Sequence, residues 1–192
     1  MEFTVQVKVS QKSLPFHNGE GQHSGPNGAH AAATLAPPLE RAVHGMYLLE
    51  VRMHTRLTSA GVRLLHDLAA TDADSVRLSL MALSAVPVAY NRHRWAVLGD
   101  MDEIGGYDSS DYQSLGRFCA EHYIDRLVCV GSMAMHYAAG AIEQGLEDEQ
   151  VHTFRTPVQA SHFLRDIVQA GDVVLIKGDD SMEEIHDGMC AD

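Results

Sequence analysis

Two hydrophobic patterns take turns along most of the chain. The segments "VRLLH", "WAVLG", "DRLVCVG", "VHTF" and "DVVLIKG" are short apolar runs that read as strands, and the run from Trp95 to Leu98 fits a strand covered on both faces. Alternating with them are "DSVRLSLMALSAV", "DYQSLGRFCAEHY", "MAMHYAAGAIEQG", "TPVQASHFLRDIVQA" and "SMEEIHDGM", where apolar residues return every three or four positions as on one helix face. Strand and helix alternate five times, so the expected fold is α/β: a Rossmann-like, mostly parallel sheet with helices on both faces and right-handed crossovers. Ligands of such sheets bind outside the carboxyl ends of the strands. Helix starts are expected at Asp74 or Ser75, at Ser109 or Ser110, and at Thr156 with Pro157 in the first helical position.

Upstream the pattern changes. Phe3, Val5, Val7 and Val9 alternate with Thr4, Gln6, Lys8 and Ser10, which predicts one edge strand that docks on the sheet or exchanges in a dimer. Residues 17–28, "HNGEGQHSGPNG", read as a flexible loop. Residues 29–36 read as a short helix stopped by Pro37 and Pro38, and residues 39–46 as another turn or two of helix. The division that follows is an N-terminal strand, loop and short helix over 1–50, and a Rossmann-like domain over 51–192.

Composition narrows the function classes. At 192 residues, 45% hydrophobic and 21% charged, the chain suits one full-sized globular domain with a real core. Its net charge of -12, with no cluster of Lys or Arg, argues against nucleic acid and against an anionic membrane surface. Three cysteines without C-x-x-C spacing read as reduced thiols of a cytoplasmic protein, and no apolar stretch reaches the ~18 residues of a membrane span. Twelve histidines are scattered without H-E-x-x-H or another tight ligand spacing, so no metal site is expected.

Candidate chemistry gathers at the strand ends. The run from Trp95 to Leu98 breaks into Gly99-Asp100-Met101 and then Glu103, a sharp turn at the ligand edge. Asp100 and Glu103 can orient a ligand ammonium or cap the turn. Asp67, closing its strand, can accept from a ribose hydroxyl or form an Asx-turn. Lys177 can meet a phosphate or pair with Asp179 or Asp180, pairing being preferred. His30 and His66 read as loop or core histidines before bases.

With those residues in place, "VLGDMDEIG", "IDRLVCVG", "GDVVLIKG" and "MEEI" resemble the C-terminal domain of the Mur ligases, above all their D-alanyl-D-alanine-adding branch. The likeness runs from about residue 51 to the end and is most specific at Gly99-Asp100-Met101 with Glu103 and Gly105. A weaker one links "GAHAAATLA", with His30, to the segment closing the family's central domain, which makes residues 1–50 a remnant of that domain. The resemblance implies a domain that closes over ATP and positions an incoming amino acid or dipeptide. Arg52 and Asp67 stand where the family contacts ATP; Lys177 joins them as a cofactor contact, with Asp100, Met101 and Glu103 on the substrate side.

The motifs are degenerate. After Asp67 the family reads Ser-Tyr-Asn-Ala-Asn-Pro, whereas this chain reads Leu68 to Ala73; after Lys177-Gly178 it reads Ser-Arg, whereas Asp179 and Asp180 stand here. Tyr112 replaces an expected histidine, and Ala31 and Thr34 replace asparagines. These 192 residues contain no G-x-x-x-x-G-K-[ST]. The expectation is a Mur-ligase-like C-terminal domain with no catalytic residues and no stand-alone ligase activity, a weak nucleotide- or peptide-binding or partner module. The rival is a fragment or subunit of an ATP-dependent D-alanyl-D-alanine-adding ligase of peptidoglycan precursor synthesis. ATP, weakly held, is the one implied cofactor; the implied partners are a P-loop ATPase chain or a second copy.

Overall fold

A computed structural model describes residues 2–10, 40–42, 46–68, 72–101 and 106–191, with side chains from Met53 onward. In chain order the elements are β1 (Glu2–Ser10), β2 (Glu40–Ala42), β3 (Met46–Leu57), β4 (Arg63–Asp67), α1 (Ala73–Ala85), β5 (Arg94–Leu98), α2 (Ser109–Glu121), β6 (Arg126–Val130), α3 (Ala134–Glu143), β7 (Val151–Phe154), α4 (Pro157–Ile167), β8 (Val173–Lys177) and α5 (Glu183–Cys190). One sheet holds all eight strands in the order β1-β3-β4-β8-β5-β6-β7, with β2 also on β3. The five strands β4, β8, β5, β6 and β7 are mutually parallel, as the five apolar runs require; β1 and β3 extend the sheet antiparallel.

Alternation along each strand sorts the core into two layers. Leu65, Ala96, Leu98, Leu127, Cys129 and Leu175 face one cluster, which holds the apolar sides of α1, α2 and α3. Leu64, Trp95, Val97, Val128, Val130, Val174 and Ile176 face the other, with α4 and α5. Every residue of β8 is buried, because β8 is central and both its faces are covered. Beneath it, at the opposite end from the ligand edge, the buried Asp172 accepts from the Trp95 indole Nε1–H at 3.0 Å and the His93 N–H at 2.9 Å, tying the starts of β8 and β5 together. Cys119 and Cys129 are free, buried thiols whose ionisation burial pushes well up.

α2 and α3 cross unusually closely, and two glycines allow it. A Cβ on Gly116 would stand 2.0 Å from the Tyr137 carbonyl oxygen, and one on Gly140 would stand 2.0 Å from the Gln113 carbonyl oxygen. The two backbones therefore touch where any side chain would hold them apart.

The helix starts differ in part from expectation. α4 begins as expected, with Thr156 capping Gln159 and Pro157 inside the first turn. α1 is capped by Asp72, whose carboxylate accepts the Ser75 N–H at 2.9 Å, rather than by Asp74 or Ser75. α2 is capped by Asp108 in a reciprocal box with Asp111, one residue before Ser109. In both, an aspartate slightly upstream reaches the free amides better than the hydroxyl beside them.

Two N-terminal findings matter. β1 docks as expected, pairing with β3 from Glu2 opposite His54 to Ser10 opposite Met46. Residues 40–42 and 46 are strand, not the helix expected over 39–46: the pairing of Glu40–Ala42 with Met46–Leu48 of β3 overrides local helix preference. β3 itself runs unbroken through position 51, where the domain start was set. The loop expected over 17–28 and the helix over 29–36 lie outside the described residues.

Candidate functional site

The carboxyl ends of β4, β8, β5 and β6 line up side by side, and Asp67, Asp100 and Lys177 sit on that edge. Register makes Asp67 the cross-strand partner of Lys177, and Leu98 its partner on the other side. Asp67 and Lys177 are therefore brought into contact: Lys177 Nζ donates to Asp67 Oδ2 at 2.9 Å and to Ser75 Oγ at 2.9 Å. The Ser79 hydroxyl donates to the same Asp67 oxygen at 2.7 Å. The lysine side chain is 0% exposed and the aspartate side chain 16%. Burial pushes the Lys177 ammonium down from the ordinary lysine range, and the Asp67 carboxylate pulls it part of the way back.

The expected pairing of Lys177 with Asp179 or Asp180 is thus replaced by one with Asp67. Asp179 is turned to its own following turn, where it accepts from the Ser181 N–H at 2.9 Å, and Asp180 is exposed. A lysine inside the sheet cannot fold back to an exposed loop, whereas the neighbouring strand end lies within reach.

Asp100 caps, but not the turn beneath it. From the end of β5 it crosses to the start of α3, accepting from the Ser132 N–H at 2.8 Å, the Ser132 hydroxyl at 2.8 Å and the Met133 N–H at 3.0 Å. α3 has no side-chain cap of its own at Met133, so a carboxylate on another strand serves its free amides and positive end. Gly131 is required: with φ of +113°, a Cβ there would stand 2.6 Å from the Asp100 carboxylate.

Gly99 is needed for closeness rather than for a left-handed bend. A Cβ on Gly99 would meet the Met182 sulfur at 2.9 Å, and one on Gly178 would meet Met182 Cγ at 2.7 Å and Gly99 Cα at 3.0 Å. The two strand ends lie back to back, joined by the Gly99 N–H donating to the Lys177 carbonyl at 2.8 Å, with the buried Met182 plugged against both. Met101 is 5% exposed and belongs to the core beneath, which makes its place that of a packing residue. Its N–H donates to the Tyr112 hydroxyl at 2.9 Å, while the Tyr137 hydroxyl donates to the Gly99 carbonyl at 3.1 Å. The two tyrosine rings meet edge to face, centroids 4.8 Å apart. Burial pushes both phenols up, so both remain protonated hydrogen-bonding groups at neutral pH.

Tyr112, at the position of an expected histidine, therefore anchors the loop, and Tyr137, Ser79 and Met182 are site residues that sequence reading missed. Each looked like one more residue on a helix face; only Gly131, placed directly after a strand, gave a local signal. Arg52 lies on β3 opposite Thr4, with its side chain outside the described residues, and Glu103 lies outside them altogether. Among the described residues no group of three or more His, Cys, Asp or Glu side chains could hold a metal ion.

The edge so built is acidic and tightly self-bonded. It can accept a ligand's hydroxyl or ammonium at the exposed part of Asp67, and it offers a polyphosphate no exposed cation beyond β8, where Asp179, Asp180, Glu183 and Glu184 are all exposed.

Comparison with known proteins gives the family and the fold. The family model described as Mur ligase, glutamate ligase domain, matches residues 51–179. A UDP-N-acetylmuramoyl-tripeptide--D-alanyl-D-alanine ligase from Mycobacterium bovis is 32% identical over 180 residues, covering 84% of this chain and 33% of the relative. The enzyme of the same name from Mycobacterium leprae is 32% identical over 145 residues, covering 68% and 28%. The chain thus spans about a third of the length of the curated relatives it matches. Among solved structures, a crystal structure of MurF from Acinetobacter baumannii superposes with a TM-score of 0.59 at 23% identity, over 71% of this chain and 30% of that one. A domain from a Haemophilus ducreyi protein described as a UDP-N-acetylmuramate:L-alanyl-gamma-D-glutamyl-medo-diaminopimelate ligase superposes at 0.51 with 13% identity, over 72% and 96%. At such identities these structures speak for the fold alone.

Proposed function

Because this chain belongs to the Mur ligase family through its glutamate ligase domain, we propose that it acts as a C-terminal-type domain without stand-alone ligase activity. In this reading it takes a nucleotide or peptide-like small molecule weakly at the carboxyl edge of the sheet, or docks there on a partner carrying a P-loop ATPase domain. The observation that carries the proposal is the spending of the edge's polar groups on the fold. Asp67 neutralises the buried Lys177, Asp100 caps α3, and the backbone of the Gly99-Asp100-Met101 loop is tied to Tyr112 and Tyr137.

Acyl-phosphate chemistry needs the opposite arrangement. Phosphoryl transfer is stabilised by cations and backbone amides aimed at the β and γ phosphates, and in this edge the lysine is sealed and acids follow it. Like charge facing a phosphate in a desolvated site costs several kcal/mol. The loss of the asparagines and tyrosine after Asp67 removes further contacts of about 0.5 to 1.5 kcal/mol each.

The test is direct. With Mg-ATP, UDP-sugar tripeptide and D-alanyl-D-alanine, the isolated chain is expected to release no phosphate and form no amide bond. Turnover of about 1 s⁻¹ or faster, in the range of ordinary enzymes, would overturn the proposal. Activity that appears only on adding a P-loop-bearing chain would instead favour the subunit reading. Residence in the cytoplasm is part of the same proposal, and no helix among the described residues is long and apolar enough to cross a membrane.

A further inference from the structure

A cluster of imidazoles on the α5 face of the sheet plays no part in that reading. His66, on β4, is the cross-strand partner of His54 on β3. Its ring packs tilted against His186 of α5, centroids 4.7 Å apart at 31°. Its Nε2 is buried without a hydrogen-bond partner among the described residues. His186 Nδ1 lies 3.1 Å from Asp187 Oδ1, and His186 Nε2 lies 3.8 Å from Cys190 Sγ.

We propose that the facing rings of His66 and His186 form a proton-operated latch, which holds α5 on the sheet while His66 is neutral and loosens it when His66 takes up a proton. His186 Nδ1 faces the Asp187 carboxylate, whereas His66 Nε2 faces no acceptor among the described residues. Protonation makes both ring nitrogens of His66 donors and leaves the Nε2 N–H without an acceptor among the described residues, a costly state for a buried group, and it sets a charge beside His186 in a partly desolvated place.

The charged and titratable groups facing His66 agree on the direction. Burial is the main reason its pKa lies below the ordinary histidine value; His186 on α5 and His54 on β3 push the same way, and Glu183 on α5 and Asp67 on its own strand pull against them. A ring harder to protonate in the fold than in the open chain stabilises fully above about pH 6.5, the unfolded value. That stabilisation is lost as pH falls through the lower folded value.

What the latch holds is mechanically coupled to the ligand edge. α5 begins directly after Met182, the side chain plugged against Gly99 and Gly178, and it buries Ile185 and Met189 in the core. Its Gly188 also sits against Ser161 of α4, where a Cβ would fall 2.1 Å from the hydroxyl. Opening α5 draws on the Met182 plug, so acid loosens the edge where Asp67 and Lys177 meet.

Amide hydrogen exchange at pH 7.5 and 5.5, corrected for intrinsic rates, tests this on the full chain. We expect protection in α5 to fall severalfold, with about tenfold the most that one linked proton allows over this range, while α2 stays protected, and His66→Phe and His186→Phe, which keep an aromatic ring in place, to diminish that difference. Equal loss in α2 and α5, no loss in either, or an undiminished loss in both variants would each overturn the latch. Should the variants fail to fold, NMR titration of the His66 ring in the unaltered protein decides: titration below about 6.5 supports the latch and titration at or above it overturns it. None of these readouts depends on ligand binding, so the latch can fail while the proposed function stands.

Discussion

Asp100 and Lys177 show how one strand end can carry polar residues for the sake of the fold. Asp100→Ala removes three acceptor contacts and the charge at the start of α3. The expected loss is about 0.5 to 2 kcal/mol, the range for a helix-capping side chain, read by urea denaturation and equal with and without ATP. Lys177→Met should cost more, about 3 to 5 kcal/mol, because it strands the Asp67 carboxylate in a mostly buried place. The double variant Asp67→Leu with Lys177→Met should recover much of that loss; if it fell by the sum of the singles, the pair would not be coupled. The Gly-Asp-Met loop was legible because strand, glycine and acid stand together in the sequence. The partner of Lys177 was not, since 110 positions separate it from Asp67 and only the adjacency of β4 and β8 unites them.

Elements were the most readable level, for all five parallel strands and all five helices follow directly from the two hydrophobic periods. Their starts were less so, because Asp72 and Asp108 compete with nearby hydroxyls for the same amides and only geometry decides. The three-residue strand at Glu40–Ala42 left no usable period. Least visible was the α2–α3 crossing, since glycines within helices usually signal weakness and here they signal contact. Gly116→Ala should therefore destabilise despite alanine's better helix propensity, worth about 1 kcal/mol in the opposite direction. Pushing a methyl against the Tyr137 carbonyl forces the helices apart, and a net loss of about 1 to 3 kcal/mol is expected in thermal or chemical denaturation. A stabilised Gly116→Ala protein would show that the crossing is loose in solution.

At the scale of the whole molecule, a live nucleotide site and a self-bonded edge predict different thermal behaviour. A ligand at 100 times its dissociation constant stabilises by about 2.7 kcal/mol, so a site of even tenth-millimolar affinity would raise the melting temperature visibly in about 10 mM ATP. We expect little or no shift. A clear one, abolished by Arg52→Ala and Asp67→Ala, would establish the edge as a working nucleotide site. The sheet order also bears on how the protein is made. β4 and β5 are neighbours in sequence but not in space, since β8 lies between them and pairs with both. During synthesis the two strands emerge with no common partner until residues 173–177 have left the ribosome, so the long-range pairing that fixes the parallel sheet waits for the last of its strands. Until then β4 and β5 each keep an open hydrogen-bonding edge, the interval in which a nascent chain most needs a chaperone.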